Sequence, residues 1–118
     1  MIAIRKLAAL SGMLVLGVLG GCASGPQSLY YWDGYQQQVY QRFDSKSSTE
    51  EQIAALEASV QKARAADRTL PPGFHAHLGM LYADVGKLDQ VRQQFETEKA
   101  LYPESATYMD FLMRKFDK

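Results

Sequence analysis

Few residues in this chain have both the type and the spacing to do chemistry. Its one cysteine, Cys22, closes an apolar run and has no second thiol to form a disulfide with. Glu50 and Glu51 are paired carboxylates, but Ser48 stands three residues before Glu51. That spacing fits a capping box, in which the hydroxyl accepts from the helix's third amide and the glutamate reaches back. His75 and His77 are the only histidines. Two positions apart on a helix they diverge, so they cannot chelate one metal, and structural roles are expected. Serines and threonines occur without an adjacent base to activate them. Neither a phosphate loop nor a zinc-helix motif is present. What remains is a run of rings, Tyr30, Trp32 and Tyr40 among them. Rings off a helix's buried stripe can form an exposed patch for a protein, a sugar polymer or a membrane interface. The expectation is a chain with no catalytic residue, no metal and no enzyme activity.

The elements that place Cys22 are those of a secretory leader. Arg5 and Lys6 precede an apolar segment over 7–19, and Gly20 and Gly21 supply small residues. A membrane span needs about 20 apolar residues, and residues 7–21 are too few and too rich in glycine. Leu19, Gly20, Gly21 and Cys22 resemble the bacterial lipobox. The resemblance implies cleavage after residue 21, and a diacylglycerol and a further acyl chain on Cys22, the only cofactor-like groups expected. One acyl chain holds a protein marginally, and two or three hold it durably. By analogy with lipoprotein sorting, Ala23 after the cysteine implies the outer membrane, facing the periplasm.

The expected organisation is a leader over 1–21, a lipidated tether over 22–28 and one domain over 29–118. The tether contains Gly25 and Pro26 and no hydrophobic period. It reaches about 20 Å at most, which favours work close to the bilayer. Cleavage removes Arg5 and Lys6 and no acid, so 13 basic and 13 acidic residues become 11 and 13, a net charge of −2. Such a domain lacks the positive field that gathers phosphates, and no nucleic-acid partner is expected.

Periodicity then predicts an all-α fold, a small bundle of about five helices. Tyr31, Tyr35, Val39 and Phe43 recur every fourth residue, read as the core stripe of a first helix, with Gly34 marking a late start or kink. Ile53, Leu56, Val60 and Ala63 give a second helix ending near Ala66. Pro71 and Pro72 then break the chain. Phe74, Leu78, Leu81, Tyr82 and Val85 form a third helical face, with Gly86 as its stop. Leu88, Val91, Phe95 and Leu101 form a fourth, closed by Pro103. Tyr108, Phe111, Leu112 and Phe116 give the last helix, over 104–118, its apolar face.

Leu78, Gly79, Tyr82, Gly86, Phe95 and Pro103 stand in the spacing of a tetratricopeptide repeat, over 72–103. His75, Val91 and Glu98 depart from that pattern, and Glu98 predicts distorted or loose packing at its position. The resemblance implies a binding groove on the inner face of the third helix: Gly73, Ala76, Met80, Ala83 and Asp84, joined by Thr107, Asp110 and Arg114. The expected partner surface is therefore Tyr30, Trp32, Tyr40, Met80, Asp84, Asp110 and Arg114. An alternative is that the last helix packs over the groove.

The lipobox, the Leu29-Tyr30-Tyr31-Trp32 start with Gly34 and Tyr35, and the hairpin together resemble a family of small bacterial outer-membrane lipoproteins of unknown function. Members are often encoded beside a lipoprotein similar to the curli secretion channel. That implies a lipid-anchored interaction or assembly module for envelope proteins, with such a channel-like lipoprotein as one partner. Two other readings are a regulator of a peptidoglycan synthase and a sugar-binding or hydrolytic envelope protein.

Overall fold

The computed structural model describes Gly25 and residues 27–117. The expected leader over 1–21, the lipobox-like residues 19–21 and Cys22 lie outside these described residues. Within them the fold is all-α, as expected. The helices are α1 (Tyr35–Asp44), α2 (Thr49–Ala65), α3 (Phe74–Asp84), α4 (Leu88–Leu101) and α5 (Ala106–Phe116), with a 3-10 turn at Pro103–Ser105 before the last. No helix among the described residues is long and apolar enough to cross a membrane.

Local chemistry sets most of the boundaries. The Ser48 hydroxyl accepts from the Glu51 amide at 3.1 Å, and the Glu51 carboxylate accepts from the Ser48 amide at 3.0 Å. The expected capping box therefore opens α2. Between α3 and α4 the chain reverses through Gly86, whose φ of 74° lies in the left-handed region that favours glycine. Pro103 cannot continue α4 and opens the 3-10 turn instead.

Packing runs between sequence neighbours, and α3 against α4 is the most extensive contact. A Cβ on Gly79 would lie 2.6 and 2.8 Å from two ring carbons of Phe95. The small residue therefore sets how closely the two helices approach, as the repeat resemblance implies. Leu56, Phe74, Leu78, Leu81 and Phe95 fill the core around this contact. Asp33, just before α1, receives the Ser59 hydroxyl at its carbonyl (3.2 Å) and Lys62 at its carboxylate (3.0 Å), which holds α1 antiparallel to α2. Tyr35 meets Phe74 at 5.1 Å between ring centroids, while Arg42 pairs with Asp84. So α1 runs parallel to α3. The result is two successive hairpins, α1–α2 and α3–α4, followed by α5.

Four expectations change. Tyr31 precedes α1, Tyr35 and Val39 are half-buried, and Phe43 is 80% exposed. An interval of four advances a helix by about 40° each time, so such a stripe drifts off one face. On α4, Val91 and Phe95 are buried, but Leu88 and Leu101 at its ends are exposed. On α5 the buried side is Met109 and Leu112, flanked by Met113 and Phe116, whereas Tyr108 and Phe111 face solvent. Glu98 does not loosen the hairpin. It is buried, and its Oε1 accepts from the Gly73 amide at 2.7 Å, satisfying a donor at the start of α3.

Gly79→Val should be costly, because Phe95 is fully buried and cannot move aside. Overpacking of this kind costs about 1–3 kcal/mol, and valine recovers only a few tenths of it in helix propensity. Thermal denaturation followed by circular dichroism should show a Tm lower by about 4 °C or more; an unchanged Tm would mean the two helices can separate freely.

Candidate functional site

The N-terminal rings divide into anchored and free. Arg68 reaches back from the α2–α3 loop to the carbonyls of Ser28 and Tyr30, and the Tyr31 amide donates to the Thr69 carbonyl at 2.8 Å. This lays the segment across the ends of the helices. Tyr30 is thereby half-buried, edge-on to Tyr102 at 6.0 Å. Trp32 opens the turn that leads into α1 and remains 41% exposed, 6.3 Å from the Tyr35 ring. Tyr40 points out of α1 and is 65% exposed. Gln36, Gln37, Tyr40 and Phe43 make up the solvent side of α1, with Trp32 beside Gln36 and Gln37.

The expected groove on α3 is largely occupied. The covering element is α1, not the last helix. The Tyr35 hydroxyl lies over Gly73, and its ring lies 6.1 Å from His77. Met80 is half-buried and packs on the core. Asp84 is exposed but engaged by Arg42. The contact between α1 and α3 leaves polar atoms unpaired, because Gln38 Oε1 and His77 Nε2, one on each helix, are buried without a hydrogen-bond partner. Burial, then the positive charge of Arg42, lowers the His77 pKa, with Asp84 opposing.

The other expected groove residues also separate. Asp110 binds Lys99 at 2.7 Å and is half-buried. Arg114 is exposed on the outer side of α5 with Thr107, Tyr108, Phe111 and Lys115. There Tyr108 stacks on Phe111 at 6.4 Å, and the Lys115 ammonium sits 4.7 Å from the Phe111 ring centroid. The seven expected surface residues are thus split between α1 and its lead-in, α3 and α5.

Other polar groups serve the fold. His75 is buried and its Nδ1 pairs with Gln94 Oε1 at 2.8 Å. Among the described residues no group of three or more His, Cys, Asp or Glu side chains is placed to hold a metal ion. A groove between α2 and α4 is lined by Gln61, Gln90, Gln93 and Gln94. Tyr82 also lines it, but this ring is buried and its hydroxyl donates to Glu57, so it offers no open face for a sugar to stack on. Glu98, the buried carboxylate, is spent on the start of α3.

The rings that sequence reasoning left out are Phe43, Tyr108 and Phe111. The signal for α5 was available. Residues 109, 112, 113 and 116 are apolar for two full turns, whereas the stripe through 108 and 111 ends on Arg114 and Lys115. A stripe that closes on charges is the solvent side.

The chain belongs to the family described as Domain of unknown function (DUF4810), whose model matches residues 29–112. No curated protein and no solved structure matches it.

Two phenols give this surface a readable alkaline limit. Burial first, then hydrogen bonding to Glu57 and its charge, push the Tyr82 pKa up to about 12 from 10.0. Burial first, then Tyr30, Glu98 and Glu104, push that of Tyr102 to about 12, and its hydroxyl donates to the Leu70 carbonyl. The folded state keeps these protons where the unfolded chain has lost them. Stability is therefore full below about pH 10 and falls as pH rises toward about 12. Urea midpoints should drop across that window, and the Tyr82→Phe, Tyr102→Phe double variant should show a shallower drop; an identical slope would remove both phenols from the account.

Proposed function

We propose that this family member is a lipid-anchored helical interaction module of the bacterial envelope, held at the periplasmic face of the outer membrane by acyl chains on Cys22 and acting without catalysis. The observation that carries the interaction role is the outer side of α5. A stack of helical hairpins normally ends on a polar face, because that face meets water. Here the terminal helix exposes Tyr108 at 60% and Phe111 at 45%, flanked by Arg114 and Lys115. Aromatic rings with cationic neighbours suit a partner that offers apolar side chains rimmed by carboxylates. Assembly or export is the setting that the family resemblance implies, and an outer-membrane lipoprotein similar to the curli secretion channel is the first partner to test.

The sugar-binding alternative draws less support. Trp32 and Asp33 are adjacent, but the Asp33 carboxylate is held by Lys62. A glycosidase needs two carboxylates flanking one bond, and the residues around Trp32 supply no second one.

Two measurements test the proposal. Palmitate labelling should mark the wild-type chain and not Cys22→Ala; equal labelling of both would defeat the anchor. A photocrosslinking residue at Phe111 should yield one discrete protein adduct in cells, lost when Tyr108 and Arg114 are replaced by glutamate, while the same probe at Gln61 on α2 should not. Adducts to glycan alone, or equal adducts from both positions, would defeat the α5 assignment.

A further inference from the structure

The outer side of α1 has a different character from that of α5. Trp32, Tyr40 and Phe43 are exposed there, Phe43 at 80%, and Leu29, three residues before Trp32 in the lead-in, is exposed to the same degree. Between them lie Gln36 and Gln37, and this side carries no charge from Gly34 to Phe43. The two nearest acids are each neutralised: Asp33 by Lys62 at 3.0 Å and Asp44 by Lys46 at 2.7 Å. A neutral aromatic strip of this kind is poorly matched to a charged protein surface. It suits the interfacial zone of a bilayer, where tryptophan and tyrosine rings settle with one edge apolar and one wet.

The chain's connectivity says which surface is near. Only six residues, Ala23 to Ser28, separate Cys22 from Leu29, the first exposed residue of the strip. They span about 20 Å at full extension, no more than about twice the 10–12 Å thickness of one helix with its side chains. A domain on so short a leash meets the surface at high effective concentration, so weak ring contacts suffice. Arg68 further restricts the orientation by binding the carbonyls of Ser28 and Tyr30 where the tether joins the domain.

We infer that the outer side of α1, with Leu29, Trp32, Tyr40 and Phe43, lies in the headgroup layer of the bilayer to which the chain is anchored, and so fixes the orientation of the whole domain. This inference rests on the lipid anchor proposed above. It adds that the domain does not swing on its tether: α1 is against the lipid, and α5 is left free for a partner.

The chain's single tryptophan makes the test direct, because emission excited at the red edge, where tyrosine does not absorb, reports Trp32 alone. The full mature protein, acylated at Cys22, is reconstituted into vesicles of phosphatidylethanolamine and phosphatidylglycerol, with or without phospholipid brominated high on its acyl chains. Mass spectrometry of the same sample reads the acyl groups. With docking, brominated lipid lowers Trp32 emission by at least about twofold, as expected for a ring buried about 5–10 Å into the headgroup boundary. Tyr40→Glu with Phe43→Glu removes that quenching and restores access to acrylamide. Both side chains are exposed, so the double variant keeps the fold. Acylated protein whose Trp32 ignores bromine overturns the docking and leaves the anchor standing. Shielding of Trp32 that depends on protein concentration and not on bromine also overturns docking, in favour of contact between copies. A chain with no acyl group overturns both readings.

Discussion

Gly79 lets the backbones of α3 and α4 approach at a separation no larger side chain permits, with two Phe95 ring carbons within 2.8 Å of where a Cβ would stand. The rest of the bundle is built out from that contact. Phe95 is wholly buried because the glycine admits it, and Leu78, Leu81 and Phe74 close around the same ring layer. With so small a domain there is little spare core, since a chain near 100 residues buries only about two-thirds of its unfolded surface. One intimate helix pair must therefore carry α2 on one side and α5 on the other. Neither α1 nor α5 has a comparable partner, and α1 contains no fully buried residue.

Glu98 shows how the same contact tolerates an unfavourable residue. A buried carboxylate is expensive when it lacks partners. Here Oε1 binds the Gly73 amide at the positive end of α3, which offsets part of that expense, while Oε2 stays without a hydrogen bond. The carboxylate thus ties the C-terminal part of α4 to the start of α3, near Tyr35 and Tyr102, whose pKa values it helps to raise. A small residue at this position would pack well and leave the Gly73 donor without this acceptor.

How much could be read from residues alone follows from how local each determinant is. The capping box at Ser48 and Glu51, the glycine turn at Gly86 and the stop at Pro103 are decided within four residues, and all three stand where the spacing put them. The hairpin was legible because Leu78, Gly79, Tyr82 and Phe95 carry a long-range pattern in fixed spacing. Which of two neighbouring stripes turns inward was harder. On α5, Tyr108 and Phe111 are large apolar rings beside Met109 and Leu112, and only the charges of Arg114 and Lys115 that close their stripe mark it as the outer one. The expected surface failed as a unit for a related reason. Its members were joined through a groove that α1 fills with the side chains of Tyr35 and Arg42, a contact between residues about 40 positions apart.

The two ends of the stack are therefore chemically unlike. At α1 the exposed rings sit among uncharged glutamines, and the acids nearby are matched by lysines. At α5 the rings sit with the exposed cations Arg114 and Lys115, and the Lys115 ammonium lies over the Phe111 ring. Desolvating the first strip costs little and gains no charge complementarity. Desolvating the second is worthwhile only where a partner's carboxylates replace the lost water. Anchored as proposed, a single domain with such a division could hold to a neutral layer on one side while selecting among proteins on the other. That division would explain why a chain this short retains so many large rings outside its core, since each carries a standing risk of association that a purely structural helix would not need.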